Sequence, residues 1–265
     1  MFRLFSLSLS LCLDHPLDRG CTDSHTLILE SLFVSFLSIR CQAISDGIQQ
    51  AEQSRAQGLV LSSSMRGIFS AGLDLTEMYQ PDQDRLVEFW VSFQQVFLDL
   101  YGSSLATVAA IEGHSPAGGC LLAMACDYRI MANHEKIGIG LNEAQFGIVA
   151  PPWMAELMQL TVGQRVAESA LQLGTLYNPQ QALRIGLIDE VAEAADVQTR
   201  AAEEAQKWSR MPPVARATSK QLLRKPLLDK LNATRQMDTE LFLSFTNKDS
   251  VQQHLGKYLA SLKAK

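Results

Sequence analysis

Short apolar runs of strand length alternate along this chain with stretches whose apolar residues recur every three or four positions. That alternation leaves few folds open. Gly58-Leu-Val-Leu-Ser62 is one such run, with a serine at its end. In the stretch Asp82 to Leu100, Leu86, Phe89, Trp90, Phe93, Val96, Phe97 and Leu100 fall on one helical stripe. Thr107-Val-Ala-Ala-Ile111 reads as a strand before Gly113, Gly119 to Ala125 as a helix, and Tyr128-Arg-Ile-Met-Ala132 as a strand. Strands and helices in turn argue for an α/β architecture. Pro151-Pro152 can open the next helix, because proline is tolerated in a first turn. Arg165–Leu173, Pro179–Ile185 and Asp196–Trp208 read as further helices. Met211-Pro-Pro213 breaks the pattern. From Val214 the chain is mostly helical, with Leu241, Phe242 and Phe245 expected on one face.

Composition narrows the classes of function. At 265 residues and 47% hydrophobic, the chain can bury a real core as one domain or one domain with an appendage. A net charge of −5 without a block of like charges gives no nucleic-acid footprint. The five cysteines (Cys12, Cys21, Cys41, Cys120 and Cys126) are odd in number and form no Cys-x-x-Cys pair, which argues against a zinc site or a secreted disulfide scaffold. Cys120 and Cys126 flank an apolar stretch and read as small buried residues. No apolar run reaches the ~18–20 residues of a membrane span; Leu27 to Ile39 is interrupted by Glu30 and Ser31. Met1 to Leu13 has one arginine, several serines and no acid, and reads as a secretory h-region, a transit-like segment or an alternating strand. No ligand cluster or dinucleotide fingerprint implies a metal or redox cofactor.

Two glycine-containing stretches carry the chemistry. Phe69-Ser-Ala-Gly-Leu-Asp-Leu75 and Ser115-Pro-Ala-Gly-Gly-Cys120 set small residues beside strand-like runs, so that backbone N–H groups can approach a ligand closely. Two convergent backbone donors suit an oxygen that gains negative charge. Leu141-Asn-Glu-Ala-Gln-Phe-Gly147 adds a lone carboxylate, Glu143, with Leu141, Ala144, Phe146 and Ile148 around it to raise its pKa. Each feature also has a purely structural explanation: a tight turn at Ala71-Gly72, close helix packing at Gly118-Gly119, an acid at a helix N-terminus for Glu143. Asp74 fits a turn-stabilising acceptor as well as a ligand contact, and Asn142 either contacts a ligand or caps a turn. Asp127 and Arg129 read as structural, and Trp90 and Phe93 as core. A serine hydrolase built on Ser115 and His114 is disfavoured, because proline follows the serine and the Gly-x-Ser-x-Gly spacing is missed.

Gly67-Ile-Phe-Ser-Ala-Gly-Leu-Asp-Leu-Thr-Glu-Met78, Pro116-Ala-Gly-Gly-Cys120, Cys126-Asp-Tyr-Arg129 and Ile139-Gly-Leu-Asn-Glu143 occur in the order and spacing of a known family. From about Gly58 onward the chain resembles the crotonase (enoyl-CoA hydratase/isomerase) superfamily, and within it the mitochondrial isomerase branch. The resemblance implies a spiral of ββα units with a C-terminal helical region that covers the site and builds a homotrimer. It implies residues 1–42 as a non-family segment, 43–210 as the core and 211–265 as the trimerisation and lid region. It implies an acyl-CoA thioester substrate, no separate cofactor, and a mitochondrial matrix location. Glu143 would be the catalytic base, and the N–H groups of Leu73 and Gly118 the oxyanion hole. Ala71, Gly72, Leu73, Asp74, Leu75, Gly118 and Asn142 would line the substrate.

Hydratases of the superfamily carry a second glutamate at the position matched here by Leu121, so the expected reaction is a 3-enoyl to 2-trans-enoyl double-bond shift. Hydration is the alternative. The first forty residues, with Asp14-His-Pro-Leu-Asp-Arg-Gly20, depart from the family pattern. They carry the expectation that edge strands of the core sheet are missing and backbone groups lose their partners. The further alternative is therefore an inactive or unstable variant that acts only as a binding protein.

Overall fold

The structure is a computed structural model that describes residues 8–11, 26–31 and 38–263. The first strands are β1 (Ser8–Leu11) and β2 (Thr26–Ser31), followed by helix α1 (Ser38–Gln53) and strand β3 (Gly58–Ser63). Then come α2 (Leu75–Met78), α3 (Gln83–Gly102), β4 (Ala106–Ile111), the two-residue β5 (Ser115–Pro116), α4 (Gly118–Ala125) and β6 (Tyr128–Ala132). A second two-residue strand, β7 (Ile139–Gly140), leads into a 3-10 turn over Glu143–Phe146. The remainder is α5 (Pro152–Val162), α6 (Gln164–Leu173), α7 (Pro179–Arg184), β8 (Glu190–Ala192), α8 (Val197–Ser209), α9 (Pro213–Thr246) and α10 (Asp249–Lys263).

The main sheet has the order β1-β2-β3-β4-β6-β8, parallel except for the antiparallel β1–β2 pair. All six residues of β3 and all six of β4 are buried, as expected for parallel strands covered on both faces. The expectation of a bare sheet edge is overturned. β2 pairs with β3 residue for residue from Thr26–Gly58 to Ser31–Ser63, and β1 pairs with β2, so the departing N-terminal sequence still supplies strands. The Ser/Leu alternation at Ser8–Leu11 is a strand; Asp14–Gly20, Cys12 and Cys21 lie outside the described residues.

Helix α3 forms where its stripe predicts. Asp82 caps it by accepting from Arg85 N at 3.1 Å, and Leu86, Phe89, Trp90, Phe93, Val96, Phe97 and Leu100 are all buried. Trp90 stacks on Phe242 of α9 with ring centroids 3.8 Å apart, which makes Trp90 and Phe93 core residues. That stack also corrects the C-terminal face: Phe242 turns inward at 6% exposure, whereas Leu241, about 100° round the helix, is 39% exposed. Cys41, Cys120 and Cys126 are free, buried thiols.

Asp127 and Arg129 are structural, but each has a different partner. Arg129 pairs with Asp189 at 2.7 Å. Buried Asp127 receives Lys220 Nζ at 2.9 Å, Arg224 Nη2 at 2.7 Å and Thr107 N at 2.8 Å, which ties α9 to the sheet. Burial alone would raise the Asp127 pKa; the two cations and the Thr107 N–H outweigh it and hold the carboxyl below its ordinary range. Its stabilisation is therefore complete above the unfolded carboxylate value of about 4 and is lost as pH falls through the lowered folded value. Asp127→Ala strands two buried cations and should cost about 3–5 kcal/mol in chemical denaturation at neutral pH.

Candidate functional site

The site is assembled mainly by backbone. β5 and β7 pair in parallel, Ser115 opposite Ile139 and Pro116 opposite Gly140, so the turn at Ala117-Gly118 runs beside Leu141-Asn142-Glu143. Ala117 N donates to Gly140 O at 2.8 Å, closing the ladder at the start of α4. On the other side, Phe69 N and Ser70 N both donate to His114 O, at 2.9 and 3.1 Å. A Cβ on Gly72 would lie 3.1 Å from Ala117 Cβ, 3.2 Å from Pro116 O and 3.5 Å from Gly118 N. The two small-residue turns predicted to act together are therefore in contact.

Gly118 is the first residue of α4, and the leading N–H groups of a helix have no acceptor within it. They point outward with the positive end of the helix dipole. Ala117, just before, adopts φ 49° and ψ −116°, a setting that normally selects glycine. A non-glycine residue held there costs about 1–3 kcal/mol and persists only where its surroundings fix it. Here the Gly140 carbonyl takes the Ala117 N–H, and the Ala117 carbonyl accepts from Leu121 N at 3.0 Å. Sequence reasoning missed Ala117; a small residue between proline and glycine is its signal.

Glu143 opens the 3-10 turn after β7 and is 6% exposed; neither carboxylate oxygen has a hydrogen-bond partner among the described residues. Burial pushes its pKa up to about 7, against the opposing pull of its own backbone N–H. Its charge is felt on α4, where burial first and then Glu143 push the Cys120 thiol up. Leu121 of α4 is fully buried, and Leu141 and Ile148 are buried; Ala144, expected in the dry surround, is exposed instead. Asn142, the preceding residue, is buried with Oδ1 unpartnered among the described residues. Gln145 Nε2 anchors the turn to Gly174 O at 2.7 Å.

The remaining candidates divide. Gly72 is buried and Leu73 half-buried in the donor turn, while Ala71 is exposed. Asp74 accepts from Thr76 N at 2.9 Å and caps α2, which begins at Leu75; this is the turn-stabilising role. Ser115 and His114 form no pair: Ser115 is buried, whereas exposed His114 accepts from Gly138 N through Nδ1 at 3.3 Å. Among the described residues no group of three or more His, Cys, Asp or Glu could hold a metal, and no helix is long and apolar enough to cross a membrane.

An α/β fold that sets two small-residue backbone turns, one of them opening a helix, beside a segment with a buried carboxylate is the arrangement expected of acyl-thioester enzymes that form an enolate. The sequence model of the Enoyl-CoA hydratase/isomerase family matches residues 40–265, and the chain belongs to that family. It is 44% identical over 234 residues to mitochondrial enoyl-CoA delta isomerase 1 of Mus musculus, covering 88% of this chain and 81% of that protein. The Rattus norvegicus protein of the same name is 47% identical over 209 residues, covering 79% and 72%. The crystal structure of human mitochondrial delta3-delta2-enoyl-CoA isomerase superposes with a TM-score of 0.88 at 38% identity, covering 90% of this chain and 94% of that one.

The contact between the turns can be tested by a double-mutant cycle. Gly72 has φ +81°, so Gly72→Ala combines left-handed strain with the approach to Ala117 and should cost about 1–3 kcal/mol. In an Ala117→Gly background the cost should fall by about 0.5–1 kcal/mol, read by urea denaturation, because one of the two close contacts is gone.

Proposed function

We propose that the chain is a Δ3,Δ2-enoyl-CoA isomerase that converts 3-cis- and 3-trans-enoyl-CoA to 2-trans-enoyl-CoA in the oxidation of unsaturated fatty acids. The observation that carries this is the buried Glu143, without a hydrogen-bond partner among the described residues and with its pKa pushed up to about 7, close to a helix whose matching position holds Leu121. Glu143 takes a proton from C2 of the thioester; the C2–H electrons move into the C1–C2 bond and the carbonyl oxygen becomes a dienolate oxygen. The Leu73 and Gly118 N–H groups stabilise that oxygen, each worth ~3–4 kcal/mol of barrier. Glu143 returns the proton at C4, and the double bond then lies between C2 and C3. Ala71, Gly72, Asp74, Leu75 and Asn142 border the thioester in this reading. Hydration would need a second group to activate water, and apolar Leu121 supplies none.

The proposal extends to assembly and place. Exposed Leu222, Leu223 and Met237 give α9 an apolar surface that supports a homotrimer built through residues 211–265, with 43–210 as the catalytic unit and 1–42 as an added segment. The mitochondrial relatives support a matrix location.

Purified protein should convert 3-cis- and 3-trans-enoyl-CoA to the conjugated 2-trans thioester, and should add water to 2-trans-enoyl-CoA far more slowly. Glu143→Gln should lower kcat at least about a hundredfold with acyl-CoA binding kept; a near-normal rate would assign the base elsewhere. Because Glu143 acts ionised, kcat/KM should rise with pH through about 7 and then level. A pH-independent rate between 5.5 and 8 would contradict it.

A further inference from the structure

One side chain outside the proposed machinery joins the end of α2, the short helix that follows the donor turn, to the C-terminal helix. Gln252, on α10, donates through Nε2 to Met78 O and to Thr246 O, both at 2.8 Å, and accepts from Gln80 N through Oε1 at 2.8 Å. Met78 and Thr246 are the last residues of α2 and α9, where carbonyls have no partner within their own helix. A single amide therefore closes two helix ends. Gln80 itself has φ +48°, a setting a non-glycine residue keeps only when its surroundings impose it. One turn further along α10, a Cβ on Gly256 would lie 2.9 Å from Tyr79 Cε2, so the Tyr79 ring rests directly on the helix.

The same helix reaches the base. The Tyr258 ring meets Phe146 edge-on, with centroids 4.9 Å apart at 77°, and His254 Nδ1 lies 3.8 Å from where a Gly147 Cβ would be. Phe146 closes the 3-10 turn that Glu143 opens, and α2 begins two residues after Leu73. Helix α10 thus touches the segments that carry both halves of the site.

We propose that Gln252 is a positioning residue for the double-bond shift: by fastening the end of α2 to α10 it sets the Leu73 N–H at its working distance from Glu143. It acts through the backbone and not on the reacting atoms, and the proposal rests on the isomerase reading. A displaced donor weakens the transition state, where the oxygen carries charge, more than the bound substrate. The loss therefore falls on kcat.

Gln252→Ala and Gln252→Glu are compared with wild type and Gln83→Ala in the full chain, with 3-trans-hexenoyl-CoA as substrate and thermal unfolding followed in parallel. Gln252→Glu keeps an acceptor for Gln80 N but loses both donors, so it should not rescue function. Gln83 exchanges two amide bonds with Asn247, at 3.1 and 2.9 Å, and serves as the control for loosening between α3 and the α9–α10 junction. Both Gln252 variants should lose about tenfold or more in kcat with KM within about threefold, and Gln83→Ala should stay within twofold of wild type. Unchanged kcat in either folded Gln252 variant, an equal loss in Gln83→Ala, or a loss confined to KM overturns the proposal. A folded wild-type chain that does not shift the double bond overturns the isomerase reading beneath it, whereas an active wild type with an unaffected Gln252→Ala overturns this proposal alone.

Discussion

Two residue pairs in a short parallel ladder, Ser115 with Ile139 and Pro116 with Gly140, hold together what the rest of the site needs. They bring the first turn of α4 alongside the segment that ends in Glu143. The carbonyl of His114, one residue before the ladder, takes two N–H groups from the 69–70 segment. Three distant stretches of chain are thus laced to one another by backbone hydrogen bonds. What the side chains decide is clearance: Gly72 and Gly118 leave the donors bare. A donor pair made of backbone amides has no polar side chain to lose. Its geometry is as firm as the fold around it.

The two buried carboxylates show how surroundings divide structural from chemical roles. Asp127 meets two cations and a backbone N–H, and stays ionised at a lowered pKa. Glu143 is more deeply buried and meets apolar neighbours, and its pKa rises from 4.5 to about 7. Keeping it ionised in the folded protein costs roughly 3 kcal/mol on that shift. Its folded pKa lies above the unfolded one, so the protonated form's relative stability is fully present below the unfolded value and is lost as pH rises through about 7. That cost raises the carboxylate's proton affinity, which the proposed removal of an α-proton requires. Asp127 binds α9 to the sheet with the same functional group and has no such capacity.

Local pattern made much of this legible. The α3 stripe, the apolar runs of β3, β4 and β6 and the glycine turns each follow from a few neighbouring residues. The contact between the Gly72 and Gly118 turns is not legible locally, since nothing in either stretch specifies the other. Less legible were interactions across long spans of chain. Asp127 with Lys220 and Arg224, Trp90 with Phe242, and Gln252 with Met78 each join residues with no periodic relation. The facing of Leu241 went wrong for that reason, because only the position of Trp90 decides which neighbour turns inward. At the N-terminus, pairing depends on backbone alone, so β2 adds to β3 with a sequence that departs from the family pattern.

Helix α4 unites these threads. Its N-terminus presents the Gly118 donor, and all eight of its residues are buried. A buried helix with a free positive end leaves its last carbonyls to be satisfied at the other end. Arg224 of α9 supplies that partner: Nη1 donates to Ala125 O at 2.9 Å and to Tyr101 O, near the end of α3, at 3.0 Å. Lys220, one turn earlier, donates to Leu105 O at 2.8 Å, and Arg216 to Ser104 O at 2.8 Å. The basic face of α9 therefore gathers carbonyls from the ends of α3 and α4 and from the Ser104-Leu105 connection into β4. Asp127 keeps two of these cations from facing one another uncompensated. Donor strength at Gly118 and anchoring of the C-terminal region are consequently two ends of the same buried helix.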